Sequence, residues 1–288
     1  KLVNNSFFAL ILLFYFLGNS YAQSPFLNEK SLDNLNSILK SNKSDSIKAL
    51  ANFDLARLYI AKDTALTQKY LKQGFTLSRN NNFLLGSYYT RVGYLYHHKG
   101  EYAKSKVYYK RAISYLETNK NIATYKILSD IWSNLAVIEQ IRNDDEKYTE
   151  LILNNAIPFA KKAKDNGRLG SLNMSLGVGF MNLNQNDKAA NYFIEAEKLI
   201  SMADNSAHRL AALYNKMVEN YLILGKSYYA EKYLEKSRQL LNQHPSAEQQ
   251  ATYFFSEGFF YYKTHQFKEA LFSFDKGIEL SKGANKKF

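Results

Sequence analysis

The chain has 288 residues, a formal net charge of +12 and no cysteine. The absence of cysteine excludes a disulfide framework, a thiolate zinc site, a cysteine nucleophile and a lipid-modified N-terminal cysteine. With only 13 glycines and 3 prolines, the sequence lacks the turn residues that sandwiches, barrels and propellers need, whereas its hydrophobic content of 46% is sufficient for a packed core.

Residues 1–22 are typical of a secretory signal peptide. Lys1 supplies the positive charge, residues 7–17 form an apolar run, and the Ser-Tyr-Ala sequence that ends at Ala22 fits the small-x-small rule, which predicts Gln23 as the new N-terminus. An apolar helix of that length spans about 16 Å, well short of the ~30 Å hydrocarbon core of a bilayer. An uncleaved membrane anchor is therefore the less favoured alternative, and we expect the protein to be exported to the periplasm.

Amphipathic helical segments follow one another over the rest of the chain. A single helix is predicted at 27–41. Six units of two helices each are predicted after it, near 49–82, 86–119, 129–164, 170–203, 211–244 and 251–284. The unit starts recur about every 40 residues, a period typical of repeat proteins built from helical hairpins.

Small and aromatic residues take regular places within these units. In the clearest unit, 170–203, Gly177 and Phe180 lie in the first helix, and Ala189, Phe193 and Ala196 lie in the second. This spacing resembles the tetratricopeptide repeat (TPR) family. There the small residue of the first helix lets the two helices approach, and the alanine near the start of the second helix packs against the first.

The resemblance implies an all-α fold with about thirteen helices, paired as hairpins in a right-handed superhelix of about six repeats, and no sheet. It also implies that Gly177 contacts Ala189 where the two helices of that unit cross. The units near 49 and 129 are degenerate, because their second helices fit the pattern only after a slip of one residue. An irregular helical bundle is the alternative.

In TPR superhelices the first helix of each repeat lines a concave groove. Carried over position by position, the resemblance places in this groove a mixture of aromatic and hydrogen-bonding side chains: Thr90, Tyr94, His97, His98, Gln140, Met174, Asn182, Asn215, Glu219, Phe255, Phe259, Tyr262 and Lys263. Such a mixture is typical of extended-peptide recognition, so a peptide or protein is the expected ligand. For Phe255, Phe259 and Tyr262, packing against a following repeat is the alternative.

Catalytic signals are scarce. No histidine is spaced with a second histidine and a glutamate as a metalloprotease helix requires, and no P-loop, nucleophile elbow or kinase signature occurs. Residues 144–146 are interpreted as a solvated acidic turn, and the basic stretches at 104–111 and 161–168 as solvated helix faces. We therefore expect no enzymatic activity, no cofactor, no metal and no nucleic-acid partner for this region.

The signal peptide and the long repeats resemble the exported TPR sensor regions of Bacteroidetes-type membrane-bound regulators. In those proteins the repeats precede a membrane helix and a histidine-kinase or helix-turn-helix output module. The resemblance implies the periplasmic sensor part of a larger signalling or transcription-regulating protein, tethered to the membrane only through a downstream segment. A stand-alone exported scaffold in envelope assembly and a cytoplasmic TPR regulator are the alternatives. The aromatic residues at 254–262 also predict self-association.

Overall fold

A computed structural model describes residues 29–204 and 206–285, and within these residues the fold is entirely helical. Thirteen helices and no strand are present in the described part, which confirms the predicted all-α class. The predicted signal peptide at 1–22 lies outside the described residues. None of the described helices combines the length and the apolar character needed to cross a bilayer.

The helices follow in chain order: α1 Glu29–Lys40, α2 Asp45–Tyr59, α3 Thr64–Leu77, α4 Asn82–His98, α5 Tyr102–Leu116, α6 Ile122–Ile141, α7 at 145–162, α8 Asn166–Asn182, α9 Asn186–Ser201, α10 Ala207–Ile223, α11 Ser227–Gln243, α12 Ala247–Lys263 and α13 Phe267–Asn285. Helix α7 is continuous but changes pitch, with α-helical turns at Asp145–Leu151 and Ile157–Lys162 on either side of a π-helical turn at Ile152–Ala156.

The helices after α1 form successive antiparallel pairs, and the chain divides into two units, 1–108 and 109–288. In the first unit α2 packs on α1 and α3, and both α2 and α3 contact α4. In the second unit the pairs are α6–α7, α8–α9, α10–α11 and α12–α13, and each pair contacts the next. This arrangement confirms the TPR-type hairpin repeat. The first helices begin about one turn before the predicted unit starts, as at Asn166 for the unit predicted from 170, except that α6 begins at Ile122, about two turns before 129.

Local sequence sets where each helix begins and ends. Asn121, Asp144 and Asp165 precede α6, α7 and α8, and each side chain accepts a hydrogen bond from a backbone N–H in the first turn of the helix that follows. Such caps satisfy amide groups that have no partner inside the helix. In the pairs from α4–α5 onward, the turn between the two helices contains a residue with positive φ, such as Asn184 (57°) or Gly225 (70°), which ends the first helix in the left-handed conformation.

A glycine of the first helix and a phenylalanine ring of the second make the close contact inside a hairpin. A Cβ atom added to Gly177 would overlap the ring of Phe193, and one added to Gly258 would lie 2.7 Å from Cδ1 of Phe274. The predicted partner of Gly177, Ala189, is fully buried, but the ring of Phe193 occupies the space over the glycine. The need for a small residue at position 177 is therefore confirmed, and the nearest atoms of the second helix belong to Phe193.

The π-helical turn in α7 gives a physical reason for the one-residue slip in the unit near 129. A π-helical turn holds one residue more than an α-helical turn. Buried residues in α7 accordingly recur at every fourth position: Tyr148, Ile152, Ala156 and Ala160. The hydroxyl of Ser129 on α6 donates to the carbonyl oxygen of Ala156 at 3.0 Å, which ties the π-helical turn to the first helix of the pair.

We predict that Gly177→Ala destabilises the chain although alanine favours helix formation. Alanine stabilises an exposed helix by about 1 kcal/mol relative to glycine, whereas a Cβ atom at position 177 would overlap the Phe193 ring severely, and overpacking of that degree costs about 2–3 kcal/mol or more. Thermal unfolding followed by circular dichroism measures the net effect. Ser175→Ala, on the same helix, is the control and should change stability by about 0.5 kcal/mol or less. Adding Phe193→Leu to Gly177→Ala should recover part of the loss, and an unchanged melting temperature for Gly177→Ala alone would contradict the close packing.

Candidate functional site

The predicted groove residues lie in both units. In the second unit, Gln140, Met174, Asn182, Asn215, Glu219, Phe255, Phe259, Tyr262 and Lys263 lie on the first helices of successive pairs, α6, α8, α10 and α12. In the first unit, Thr90, Tyr94, His97 and His98 lie on α4.

Gln140 and Asn182 meet at one carboxylate. The side-chain amide of Asn182 donates to Oδ1 of Asp145 at 2.8 Å, and that of Gln140 donates to the same oxygen at 3.3 Å. Gln140 is close to the end of α6, Asp145 is the first residue of α7, and Asn182 is the last residue of α8. All three side chains are half-buried. Oδ2 of Asp145 makes no hydrogen bond with a residue of the described part, so it can accept one from a ligand.

The start of α7 places the Asp145 carboxylate. Asp144 caps the helix by accepting a hydrogen bond from the backbone N–H of Lys147 at 2.8 Å. Asp145 therefore begins the first turn, where the helix dipole and the free N–H groups stabilise a negative charge. This placement orients the carboxylate so that it can accept hydrogen bonds from the side chains of α6 and α8.

Gly179 brings α7 and α8 close enough for Asp145 to contact Asn182. A Cβ atom on Gly179 would lie 2.6 Å from Cγ2 of Thr149 and 2.9 Å from the Tyr148 ring. The hydroxyl of Tyr148 donates to the carbonyl oxygen of Ser175 at 3.1 Å. Burial raises the pKa of Tyr148 to about 12, so the hydroxyl stays protonated and continues to hold the two helices together.

Thr90 and Asn215 lie in the interior of their units. Thr90 is buried, and its hydroxyl donates to the carbonyl oxygen of Gly86 at 2.8 Å. Asn215 is 1% exposed, and its side-chain oxygen accepts a hydrogen bond from Ser237 of α11 at 2.8 Å. The structure therefore gives these two predicted groove residues an interior place, because each finds its partner within its own helix or hairpin.

Between the Asp145 cluster and the last hairpin, the predicted residues are Met174 and Glu219. Met174 is half-buried and packs against the core of the second unit. The Glu219 carboxylate is 3.1 Å from the Lys216 ammonium group, one turn earlier on α10. Both side chains are less than one third exposed, so the ion pair is partly desolvated. Met174 supplies apolar surface.

The predicted aromatic residues on α12 divide between the hairpin interior and the surface. Phe255 is half-buried, and its ring would lie 3.1 Å from a Cβ atom on Gly277 of α13, so it packs within its own hairpin. Phe259 is half-buried beneath Lys263, whose Nζ is 5.5 Å from the ring centroid. Tyr262 is 44% exposed. The run at 254–262 is thus less exposed than the sequence suggested.

On α4, Tyr94 and His97 stack with ring centroids 6.4 Å apart, and His97 meets Tyr102 edge-on at 5.6 Å. Burial, and secondarily the charge of the neighbouring His98, lowers the pKa of His97 to about 4. His97 is therefore a neutral aromatic group at neutral pH. Among the described residues no three histidine, aspartate or glutamate side chains lie together as a metal site would require.

A second carboxylate joins consecutive hairpins in the second unit. Glu197 of α9 accepts hydrogen bonds from the hydroxyls of Tyr214 at 3.0 Å and Tyr233 at 3.3 Å, and its carboxylate is 2.7 Å from the Lys236 ammonium group. The same ammonium group lies 5.2 Å and 5.0 Å above the two tyrosine rings. Burial, and secondarily the charge of Glu197, raises the pKa of both tyrosines.

Sequence reasoning missed both Asp145 and Glu197. Asp145 belonged to a run interpreted as a solvated turn, and Glu197 stood on a helix face with other charges. A usable signal is sequence separation: Asp145 and Asn182 are 37 residues apart, and Glu197 and Lys236 are 39 apart. Pairs separated by slightly less than one repeat join neighbouring hairpins, so pairing polar residues at that separation would have found both clusters.

Comparisons with known proteins support the fold. No protein-family model and no curated protein matches the chain. Among solved structures, BtubC (BKLC) from P. vanneervenii is 16% identical, with 80% of this chain and 92% of that chain covered and a TM-score of 0.63. NprR in complex with its cognate peptide NprX is 16% identical. The alignment covers 89% of this chain and 75% of NprR, with a TM-score of 0.60. The TPR-like repeats of a putative kinesin light chain from Podosopora anserina are 12% identical. The alignment covers 71% of this chain and 98% of that chain, with a TM-score of 0.52. At these identities the likeness shows a TPR-like fold.

We predict that Glu197→Gln lowers the free energy of unfolding by about 1–3 kcal/mol at neutral pH, because two tyrosine hydroxyls and Lys236 lose their shared charged acceptor. Urea unfolding measures the change. Glu195→Gln, an exposed residue on the same helix, is the matched control and should change stability by about 0.5 kcal/mol or less. Equal stabilities of the two variants would contradict a role for this carboxylate in joining the hairpins.

The raised tyrosine pKa values also predict the pH dependence of stability. Unfolded tyrosines release their protons near pH 10, whereas Tyr214 and Tyr233 in the folded chain hold them to higher pH. The stabilisation is therefore fully present below about pH 10 and is lost as the pH rises above it. Urea unfolding at a series of alkaline pH values, with tyrosinate absorbance recorded in parallel, tests this. Stability that stays constant while the buried tyrosines ionise would contradict the assignment.

Proposed function

We propose that the second unit binds an extended peptide along α6, α8, α10 and α12, and that the chain acts as a non-enzymatic recognition module. The observation that carries the proposal is the Asp145 carboxylate, oriented by the amides of Gln140 and Asn182 and left with one free oxygen. Three helices converge there, and the three side chains are half-buried.

The chemistry of this cluster suits a peptide main chain. An extended peptide presents alternating N–H donors and carbonyl acceptors without internal partners. Oδ2 of Asp145 would accept from a backbone N–H or from a basic side chain. The amide oxygens of Gln140 and Asn182 would accept further hydrogen bonds. Charge-assisted hydrogen bonds of this kind are about twice as strong as neutral ones, so the carboxylate would supply most of the polar affinity.

Apolar contacts on the same helices would supplement it. Met174 and Phe259 are half-buried, and Tyr262 is exposed, so they offer partly desolvated surface to apolar side chains of a peptide. Aromatic and methionine side chains are common at such positions in interfaces. The peptide complex of NprR, whose fold this chain shares, supports a peptide as ligand.

We further propose that the protein is exported and serves as the sensor part of a larger signalling protein. The support is the apolar run at 7–17 with its small-x-small sequence. Fractionation of cells that produce the full precursor, with sequencing of the mature N-terminus, tests export. The genomic sequence after residue 288 separates a sensor, followed by a membrane span and an output module, from a stand-alone scaffold.

We predict that a peptide selected on the chain binds through the Asp145 cluster. The chain from residue 23, which retains every described helix, is immobilised, and a random-sequence peptide library is displayed against it. The most enriched peptide is then synthesised and titrated by calorimetry. Asn182→Ala and Asp145→Asn should each weaken its binding by about tenfold.

Two exposed residues on α9 provide matched controls. Asn191→Ala and Asp187→Asn make the same chemical changes away from the cluster and should leave the affinity within about twofold. Failure to enrich any peptide, or equal affinities for the cluster and control variants, would contradict the proposed site.

A further inference from the structure

Helix α13 presents an apolar stripe to solvent. Phe267, Leu271 and Ile278 are 58%, 63% and 43% exposed. At about 100° per residue they lie within roughly 40° of one another around the helix. The principal packing partner of α13 among the described helices is α12. Phe267 contacts the rings of Tyr262 and His265, at centroid distances of 6.0 Å and 5.9 Å, but more than half of its surface stays exposed. The stripe is therefore a largely solvent-exposed apolar face on a helix whose opposite side is part of the core.

The corresponding helix of the preceding hairpin has no such stripe. A shift of 40 residues superimposes α13 on α11 in the sequence: Ala270 falls on Ala230, both buried, and Lys276 falls on Lys236. The equivalence extends to geometry, because Lys276 lies 5.2 Å above Phe254 and Lys236 lies 5.2 Å above Tyr214. Under the same shift Phe267, Leu271 and Ile278 fall on Ser227, Glu231 and Arg238.

The stripe lies on the side of α13 that points away from the preceding hairpin. On α11, Tyr233 and Lys236 contact Glu197 of the hairpin before it. Their counterparts on α13, Ser273 and Lys276, lie on the opposite side of the helix from Leu271. An additional helix can therefore reach the exposed side of the stripe without displacing the contacts of Ser273 and Lys276.

We propose that the stripe pairs with the same stripe of a second copy of this chain, with the two α13 helices antiparallel. The argument for a second copy is charge complementarity along one edge of the stripe. Lys268, Asp275 and Glu279 lie about 80° from the stripe and within roughly 40° of one another. All three are exposed, and none forms an ion pair with a described residue.

An antiparallel arrangement that sets Phe267 opposite the partner's Ile278 also sets Lys268 opposite position 277 of the partner. That position is midway between the partner's Asp275 and the partner's Glu279, which lie about 3 Å from it along the helix axis, one on each side. By symmetry the contact forms twice. Asp275 and Glu279 are four residues apart on one helix and repel each other, so a lysine between them relieves that repulsion. A parallel arrangement would place the two charged edges on opposite sides of the helix pair, where Lys268 could not reach the partner's carboxylates, and is disfavoured.

The experiment compares variants that give α13 the residues α11 carries. The chain from residue 23 is studied by sedimentation equilibrium across a wide concentration range and is expected to form a dimer. Leu271→Glu, and the triple variant Phe267→Ser, Leu271→Glu, Ile278→Arg, should weaken the dimer by about tenfold or more. Phe272→Lys is the matched control: Phe272 is 61% exposed and lies off the stripe, so the dimer should persist. Circular dichroism melts establish that each variant folds.

Two further measurements test the orientation. Lys268→Glu should weaken the dimer, and adding Asp275→Lys with Glu279→Lys should restore it. Because the chain has no cysteine, Leu271→Cys and Phe267→Cys can each be treated with a short bis-maleimide. Antiparallel pairing predicts cross-linking at 271, whose copies are about 4.5 Å apart along the axis, and not at 267, whose copies are about 16 Å apart.

A monomer at every concentration, a dimer insensitive to Leu271→Glu, or a dimer lost with Phe272→Lys would each overturn the proposal. Efficient cross-linking at both cysteine positions would overturn the antiparallel arrangement. Because no variant touches the Asp145 cluster, loss of the dimer with peptide binding retained separates this proposal from the proposed function.

Discussion

The structure depends on how closely two helices approach within a hairpin. At Gly177 and at Gly258 the missing side chain leaves room for a phenylalanine ring of the second helix, which packs directly on the backbone of the first. A fully buried ring contributes a large apolar area and many dispersion contacts. A hairpin formed in this way cannot bury its remaining apolar surface alone and must stack on a neighbour. Contacts between hairpins, including those that build the candidate site, are therefore consequences of this first contact.

Carboxylates recur between and within these hairpins, and their surroundings differ. Glu197 accepts from two tyrosine hydroxyls and pairs with Lys236, and Glu257 accepts from Tyr253 and Ser273 at 2.7 Å each. Both are satisfied by groups of their own unit, as an interior acid needs to be. From the described residues, the Asp145 carboxylate receives two neutral amide donors, both on one oxygen. The chain thus already uses carboxylates to hold neighbouring helices together, and Asp145 is one with acceptor capacity left over.

Much of the fold follows from residue spacing, because helical periodicity and the glycine at position 177 are local features of the sequence. The position of the Phe193 ring over that glycine was not predicted, since it depends on the crossing geometry of the two helices. The slip in α7 was visible in the sequence, but a π-helical turn as its cause was not, because no residue type marks such a turn. Asn215 was misplaced for a related reason: its position fits a groove, and only the hydrogen bond from Ser237 shows that the side chain turns inward.

The linear arrangement of the second unit bears on how its two proposed surfaces interact. In a repeat array each hairpin contacts only its neighbours, and stability is approximately a sum of hairpin and interface contributions. The Asp145 cluster lies between the α6–α7 and α8–α9 pairs, whereas the α13 stripe belongs to the last described pair, with α10–α11 between them. A peptide at the cluster would strengthen the interface it bridges, and pairing through α13 would strengthen the α12–α13 hairpin. Because these effects act on different interfaces, they should add. Coupling between peptide binding and pairing would have to pass through the packing of the α8–α9 pair on the α10–α11 pair, of which the Glu197 contact is one part.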